Sequence, residues 1–191
     1  MQTRVVTDRP WDVACDLLAI PYLGAPSFEG QFDEIDRRAG GELRSLVAFG
    51  ELTAQRYAAA VAAAGDLPAG RLLPIAAGPA DAFDREIAVR LGSAIERRLA
   101  GRAVRRLAIW LGDLPSALGG DVAAVAELLA RGVVEGSFDL AGLYHDNSES
   151  APPALDELVI VAPDAGANPG ADAVTIAHAV ERGVILSLIH I

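Results

Sequence analysis

The sequence predicts an α/β fold: a three-layer α/β/α arrangement around a mixed, mostly parallel sheet. Three observations lead there. Aliphatic runs of strand length alternate along the chain with amphipathic stretches long enough to cross over between parallel neighbours. The strand candidates are apolar at nearly every position, as strands covered on both faces are. At 191 residues, 52% apolar and 22% charged, the chain suits one domain with a substantial core, and no repeat, low-complexity tract or strong boundary divides it.

Residues 13–23, "VACDLLAIPYL", form an aliphatic run that stops at Pro and Gly and reads as a largely buried strand. Next, Phe32, Ile35, Ala39, Leu43, Leu46 and Val47 recur at helical steps, with Asp33, Glu34 and Asp36 in the first turn. Gly40 and Gly41 sit inside this pattern, where each loses about 1 kcal/mol against Ala, so the pair marks a break or a close backbone contact. Residues 51–64, "ELTAQRYAAAVAAA", fit helix by composition and short strands by their flanking turn signals, and the reading leans to strands.

Residues 71–77 are a strand candidate that Pro74, lacking an amide donor, pushes to an edge or a bulge. Phe83, Ile87, Leu91, Ile95 and Leu99 then form an i, i+4 row, with Asp81 placed to cap the helix and Gly101 to stop it. A strand over 104–111, a helix over 121–134, a strand over 155–161 and a last helix over 170–185 complete the alternation. Residues 144–153 and 163–170 read as polar loops.

The net charge is −10, and all 16 basic residues are Arg because the chain has no Lys. That balance repels phosphate backbones and argues against a nucleic-acid partner. The pairs Arg37-Arg38, Arg97-Arg98 and Arg105-Arg106 read as solvated helix surface and helix-end charges. The single Cys15 lies in an apolar run and reads as a structural thiol in a reducing compartment. The N-terminal residues lack the apolar core of a secretory signal, and no apolar run approaches the ~20 residues needed to cross a bilayer. A cytoplasmic, soluble protein without a membrane partner is expected.

Motifs that carry chemistry are scarce. His145, His178 and His190 show neither H-x-x-x-H nor H-E-x-x-H spacing. His145 with Asp146 and Glu149 could ligate a metal, although a polar loop of this kind is ordinarily just solvated. His178 is expected on the flank of the last helix, and Glu135 in "VVEGSFDLAG" reads as part of a turn. A Walker loop is impossible without lysine, and neither a G-x-G-x-x-G after a strand nor a G-x-S-x-G elbow is present.

Four segments together resemble the N-terminal domain of the leucyl aminopeptidase, or cytosol aminopeptidase, family. They are "DEIDRRAGGELRSLVAFGEL" (33–52), "GRLLPIAAG" with "FDREIAVRLGSAIERRL" (70–99), "EGSFDLAGLYHD" (135–146) and "AVERGV" in the last helix. The resemblance extends thinly over about residues 13–185. It departs from the family where "IAAGP" replaces a Gly-x-Gly turn and where "LYHDNSE" lacks a Tyr-Arg-Phe type run.

The resemblance implies a macro-domain-like fold for residues 1–185 and an absent catalytic domain. Family members release N-terminal residues from peptides with two divalent metal ions, zinc or manganese. A lysine, several aspartates and a glutamate of a C-terminal domain hold the ions, and a second lysine and an arginine assist. A lysine-free chain cannot supply that set, and "N-T-D-A-E-G-R" is absent. The expectation is therefore no catalytic, cofactor-binding or metal residue here. The peptide substrate and a hexameric assembly, with this domain at its periphery, belong to the parent enzyme.

Macro domains bind ADP-ribose, so an ADP-ribose or nucleotide-binding module is the alternative, with "RAGGEL" (38–43) as a poor glycine-rich phosphate loop. DNA binding, known for some family members, is disfavoured by the acid excess. The match ends at Ile185. "LSLIHI" (186–191) looks like the in-frame translation of a sequencing-library transposon end, CTG TCT CTT ATA CAC ATC, and is expected to be a non-native, adapter-derived tail.

Overall fold

A computed structural model describes residues 1–138, 155–163 and 172–190. Its five strands are β1 (Gln2–Val6), β2 (Cys15–Leu23), β3 (Ala69–Gly78), β4 (Arg106–Trp110) and β5 (Glu157–Val161), arranged in the order β1-β5-β4-β2-β3. All pairings between these strands are parallel. The helices are α1 (Gly30–Arg38), α2 (Glu42–Ala48), α3 (Arg85–Arg97), α4 (Leu114–Ala117), α5 (Val122–Ser137) and α6 (Ala173–His190).

Because strand side chains alternate, each aliphatic run serves two cores. Leu17, Leu73, Leu107, Ile109 and Ile160 point to one side and pack under Leu91 and Ile95 of α3, Leu129 and Val133 of α5, and Ile176 of α6. Leu18, Ile20, Leu72, Trp110 and Val159 point to the other and pack under Phe32, Ile35 and Leu43 of α1 and α2. The expected three-layer α/β/α arrangement follows from this two-sided burial.

α3 and α5 touch backbone to backbone. A Cβ on Gly132 would lie 1.9 Å from the Val89 carbonyl oxygen, and one on Gly92 would lie 2.3 Å from that of Leu129. Gly183 of α6 repeats the device, 2.3 Å from the Glu127 carbonyl oxygen of α5. Glycine is retained inside these helices, despite its poor propensity, because no side chain fits at the crossings.

Several sequence expectations are corrected. Gly40 and Gly41, at φ 74° and 82°, break the expected amphipathic helix into α1 and α2. The cap of α3 is Asp84, whose carboxylate accepts from the Ile87 N–H at 2.8 Å, while Asp81 sits in a preceding 3-10 turn. α6 begins at Ala173 and continues past residue 185 without a break. β1 and the short α4 were not expected at all.

Residues 51–64 contain no strand of their own, only isolated antiparallel bridges from Ala59 to Ile75 and from Ala62 to Leu72 along the outer edge of β3. Ala62 and Leu72 exchange both backbone hydrogen bonds, and Ala76 N–H donates to Ala58. Midway between them, opposite Ala60, stands Pro74, which has no N–H to donate. The proline that marks β3 as an edge strand thus also interrupts the ladder that would have made its neighbour a strand.

Candidate functional site

In a parallel sheet the crevice outside the strand carboxyl ends, where chain direction diverges, is the natural ligand position. Here β2 leads outward to β3, whereas β4 leads the other way to β5. Beside this divergence lies a cavity of ≈ 340 Å³. The residues following β1 line it with Thr7, Asp8, Arg9 and Asp12, the first turn of α1 adds Gln31, and β4 ends in it with Trp110. Trp110 is 7% exposed, and its ring passes 3.3 Å from the position a Cβ on Gly112 would take, so the following turn stays open only for glycine.

A second hollow of ≈ 570 Å³ lies on the other side of Asp8 and Asp12, over the starts of β4 and β5. Its floor is a cross-strand ladder in which Glu157 accepts from Arg4 at 3.1 Å and pairs with Arg106 at 2.5 Å. The first cavity surrounds an aromatic wall with hydrogen-bonding groups of both signs, which suits a small polar ligand. The second is lined by the ion pairs of Arg4, Arg106 and Glu157 and has no aromatic wall among the described residues.

The sequence-derived candidates lie elsewhere. Cys15 is buried at the start of β2, where desolvation, with Asp16 adding to it, pushes its thiol up to about 12, so no thiolate forms near neutrality. His178 is an exposed residue of α6, 3.7 Å from Glu181. Glu135 lies in the last turn of α5, bonded to Arg131 at 2.7 Å, rather than in a turn beyond the helix. Arg37 and Arg38 both bond Glu34, and Arg105 and Arg106 pair with Asp156 and Glu157. His145, Asp146 and Glu149 lie outside the described residues. Among those described, no group of three or more His, Cys, Asp or Glu side chains could hold a metal ion.

"RAGGEL" sits at the opposite end of the sheet from the crevice. The Arg38 carbonyl accepts from Asp66 N–H at 3.0 Å, just before β3 begins. The start of α2 is already served by a carboxylate: buried Asp36 accepts from the Arg44 N–H at 3.1 Å and pairs with the Arg44 guanidinium, which stacks 4.4 Å over Phe28. This loop therefore turns the chain between helices instead of facing a phosphate. The crevice residues escaped the sequence reading because β1 escaped it. Once β1 is placed, residues 7–12 become the connection at a strand carboxyl end, which is the one signal that points to them.

No protein-family model matches the sequence, and no curated protein sequence matches it. Solved structures do. A mutant of tomato leucine aminopeptidase is 17% identical with a TM-score of 0.71, over 98% of this chain and 35% of that one. The Trypanosoma brucei macrodomain in complex with ADP-ribose is 15% identical with a TM-score of 0.66, over 94% of this chain and 69% of that one. The fold is macrodomain-like. The bottromycin maturation enzyme BotP in complex with Mn is 21% identical with a TM-score of 0.56, over 92% of this chain and 30% of that one. The macrodomain-like chain thus spans about a third of the length of the aminopeptidase and BotP structures it matches. No helix among the described residues is long and apolar enough to cross a membrane.

Proposed function

We propose that this chain is the non-catalytic N-terminal lobe of a cytoplasmic, metal-dependent leucyl aminopeptidase that releases N-terminal residues from peptides. The observation that carries the reading is the match to tomato leucine aminopeptidase over 98% of this chain at a TM-score of 0.71. In this reading two divalent ions, zinc or manganese, and the lysine-bearing site that holds them belong to a following domain. This lobe helps shape a hexamer and restricts access to the active site. Residues 1–185 form the lobe, and 186–191 are a foreign tail, a reading that rests on the sequence of these six residues. Purified protein supplied with manganese or zinc should release nothing from leucyl substrates, and metal-dependent turnover would overturn the assignment.

A second reading is favoured by the macrodomain neighbours, one of them in complex with ADP-ribose. The cavity beside Trp110 would then hold an ADP-ribose-like nucleotide. Calorimetric titration separates the two: micromolar binding of ADP-ribose, weakened by Trp110→Ala, supports the nucleotide module, and the absence of heat supports the silent lobe.

A further inference from the structure

Glu96 lies in the last turn of α3 and meets the last turn of α5 at Gly136. A Cβ on Gly136 would stand 3.0 Å from the Glu96 Cβ and 2.8 Å from the Ser93 Cα, so the missing side chain is what lets Glu96 lie across α5. Its Oε2 is buried without a hydrogen-bond partner among the described residues. Two other polar groups of the seam are engaged, since the Ser93 and Ser137 hydroxyls donate to the carbonyls of Gly132 and Val134, each at 2.8 Å.

Most charged side chains of these elements are engaged with other partners, and Arg85 and the exposed Arg97 of α3 bond no other side chain among the described residues. On α5, Arg131 and Glu135 bond each other at 2.7 Å, and Glu127 pairs with Arg182 of α6. On α3, Glu86 and Arg90 pair one turn and more away, and beyond its end Arg98 donates to the Tyr57 carbonyl at 3.2 Å. Burial pushes the Glu96 carboxyl up to about 7. The negative end of the α5 dipole works in the same direction.

We propose that Glu96 is a proton-operated contact between α3 and α5: seated in the glycine-lined seam while neutral, and driven outward when it ionises, loosening the last turn of α5. The sign follows from linkage. The folded state holds the proton more tightly than the unfolded chain, so the stabilisation is complete below the ordinary carboxylate range. It is lost as pH rises through about 7.

A ¹³C carboxyl titration of the full chain, with Glu96→Gln identifying the resonance, reads the group directly. The expected midpoint is near 7. Amide exchange at Gly136 and Ser137, corrected for intrinsic rates, should speed up about tenfold between about pH 6 and pH 8 in the wild type and stay level in Glu96→Gln. A midpoint in the ordinary carboxylate range, or the same pH dependence in both proteins, overturns the proposal. Should the variant not fold, the wild-type midpoint alone decides, with the resonance assigned through its bonded carbons.

Discussion

On the α3, α5 and α6 face, helices close on one another through Gly92, Gly132 and Gly183 and on the sheet through aliphatic side chains alone. On the α1 and α2 face the apolar layer, which reaches Trp110 and Val161 at the strand ends, is supplemented by polar contacts. Those contacts are Asp36 with Arg44, Arg44 over Phe28, and Arg38 5.3 Å over Trp11. Both cavities lie on this second side. A face packed backbone to backbone has no room for a ligand, whereas the second leaves hollows where the chain between β1 and β2 passes over the strands. The first face reads as scaffold and the second as the place where recognition can occur.

The largest effect that would sharpen this contrast comes from the scaffold. Gly132→Leu drives a side chain into the Val89 carbonyl, with no flexible group to yield, and should lower stability by about 3 kcal/mol or more, seen as a fall in Tm of roughly 10 °C. A melt within a few degrees of wild type would mean that the helices are free to separate. Asp36→Ala should act less strongly, by about 2 kcal/mol, because it removes the acceptor for the first turn of α2 and leaves Arg44 with Asp33. Hydrogen exchange should show the loss confined to α2, and a uniform loss across both faces would break the division.

The smallest effect belongs to Glu34, whose carboxyl the Arg37 and Arg38 guanidiniums hold down at about 2. Its folded value lies below its unfolded one, so the pair contributes at neutral pH and is lost only as the medium is acidified through about 2. Glu34→Gln should leave Tm at pH 7 nearly unchanged, since Arg37 is exposed and Glu34 and Arg38 are only half-buried, so solvent screens both contacts. An NMR titration placing this carboxyl near the ordinary value would contradict the pairing.

How much of this was legible depended on the signal each segment carries. β2, β4 and β5 announce themselves because burial on both faces demands unbroken aliphatic runs. α3 and α5 do so because their apolar rows keep a helical step, although only the structure identifies Asp84 rather than Asp81 as the cap of α3. β1 was missed because it is a short edge strand carrying Gln2 and Arg4, with charge where the pattern expects aliphatics. The 51–64 segment defied assignment since alanines show no periodicity and its pairing depends on Pro74 in another element. Asp36 capping α2 from within α1 has no local signature, and the crevice gathers residues from four separate parts of the chain: the stretch after β1, Gln31 of α1, Trp110 of β4, and Ala162 and Pro163 after β5. Sites assembled this way become visible only after the strand order is known.

We propose that this chain offers a polar crevice and holds no two-metal site of its own. Metal analysis of the purified chain after equilibrium dialysis against manganese tests it most directly. The account predicts no stoichiometric manganese, and two tightly held ions per chain would contradict it.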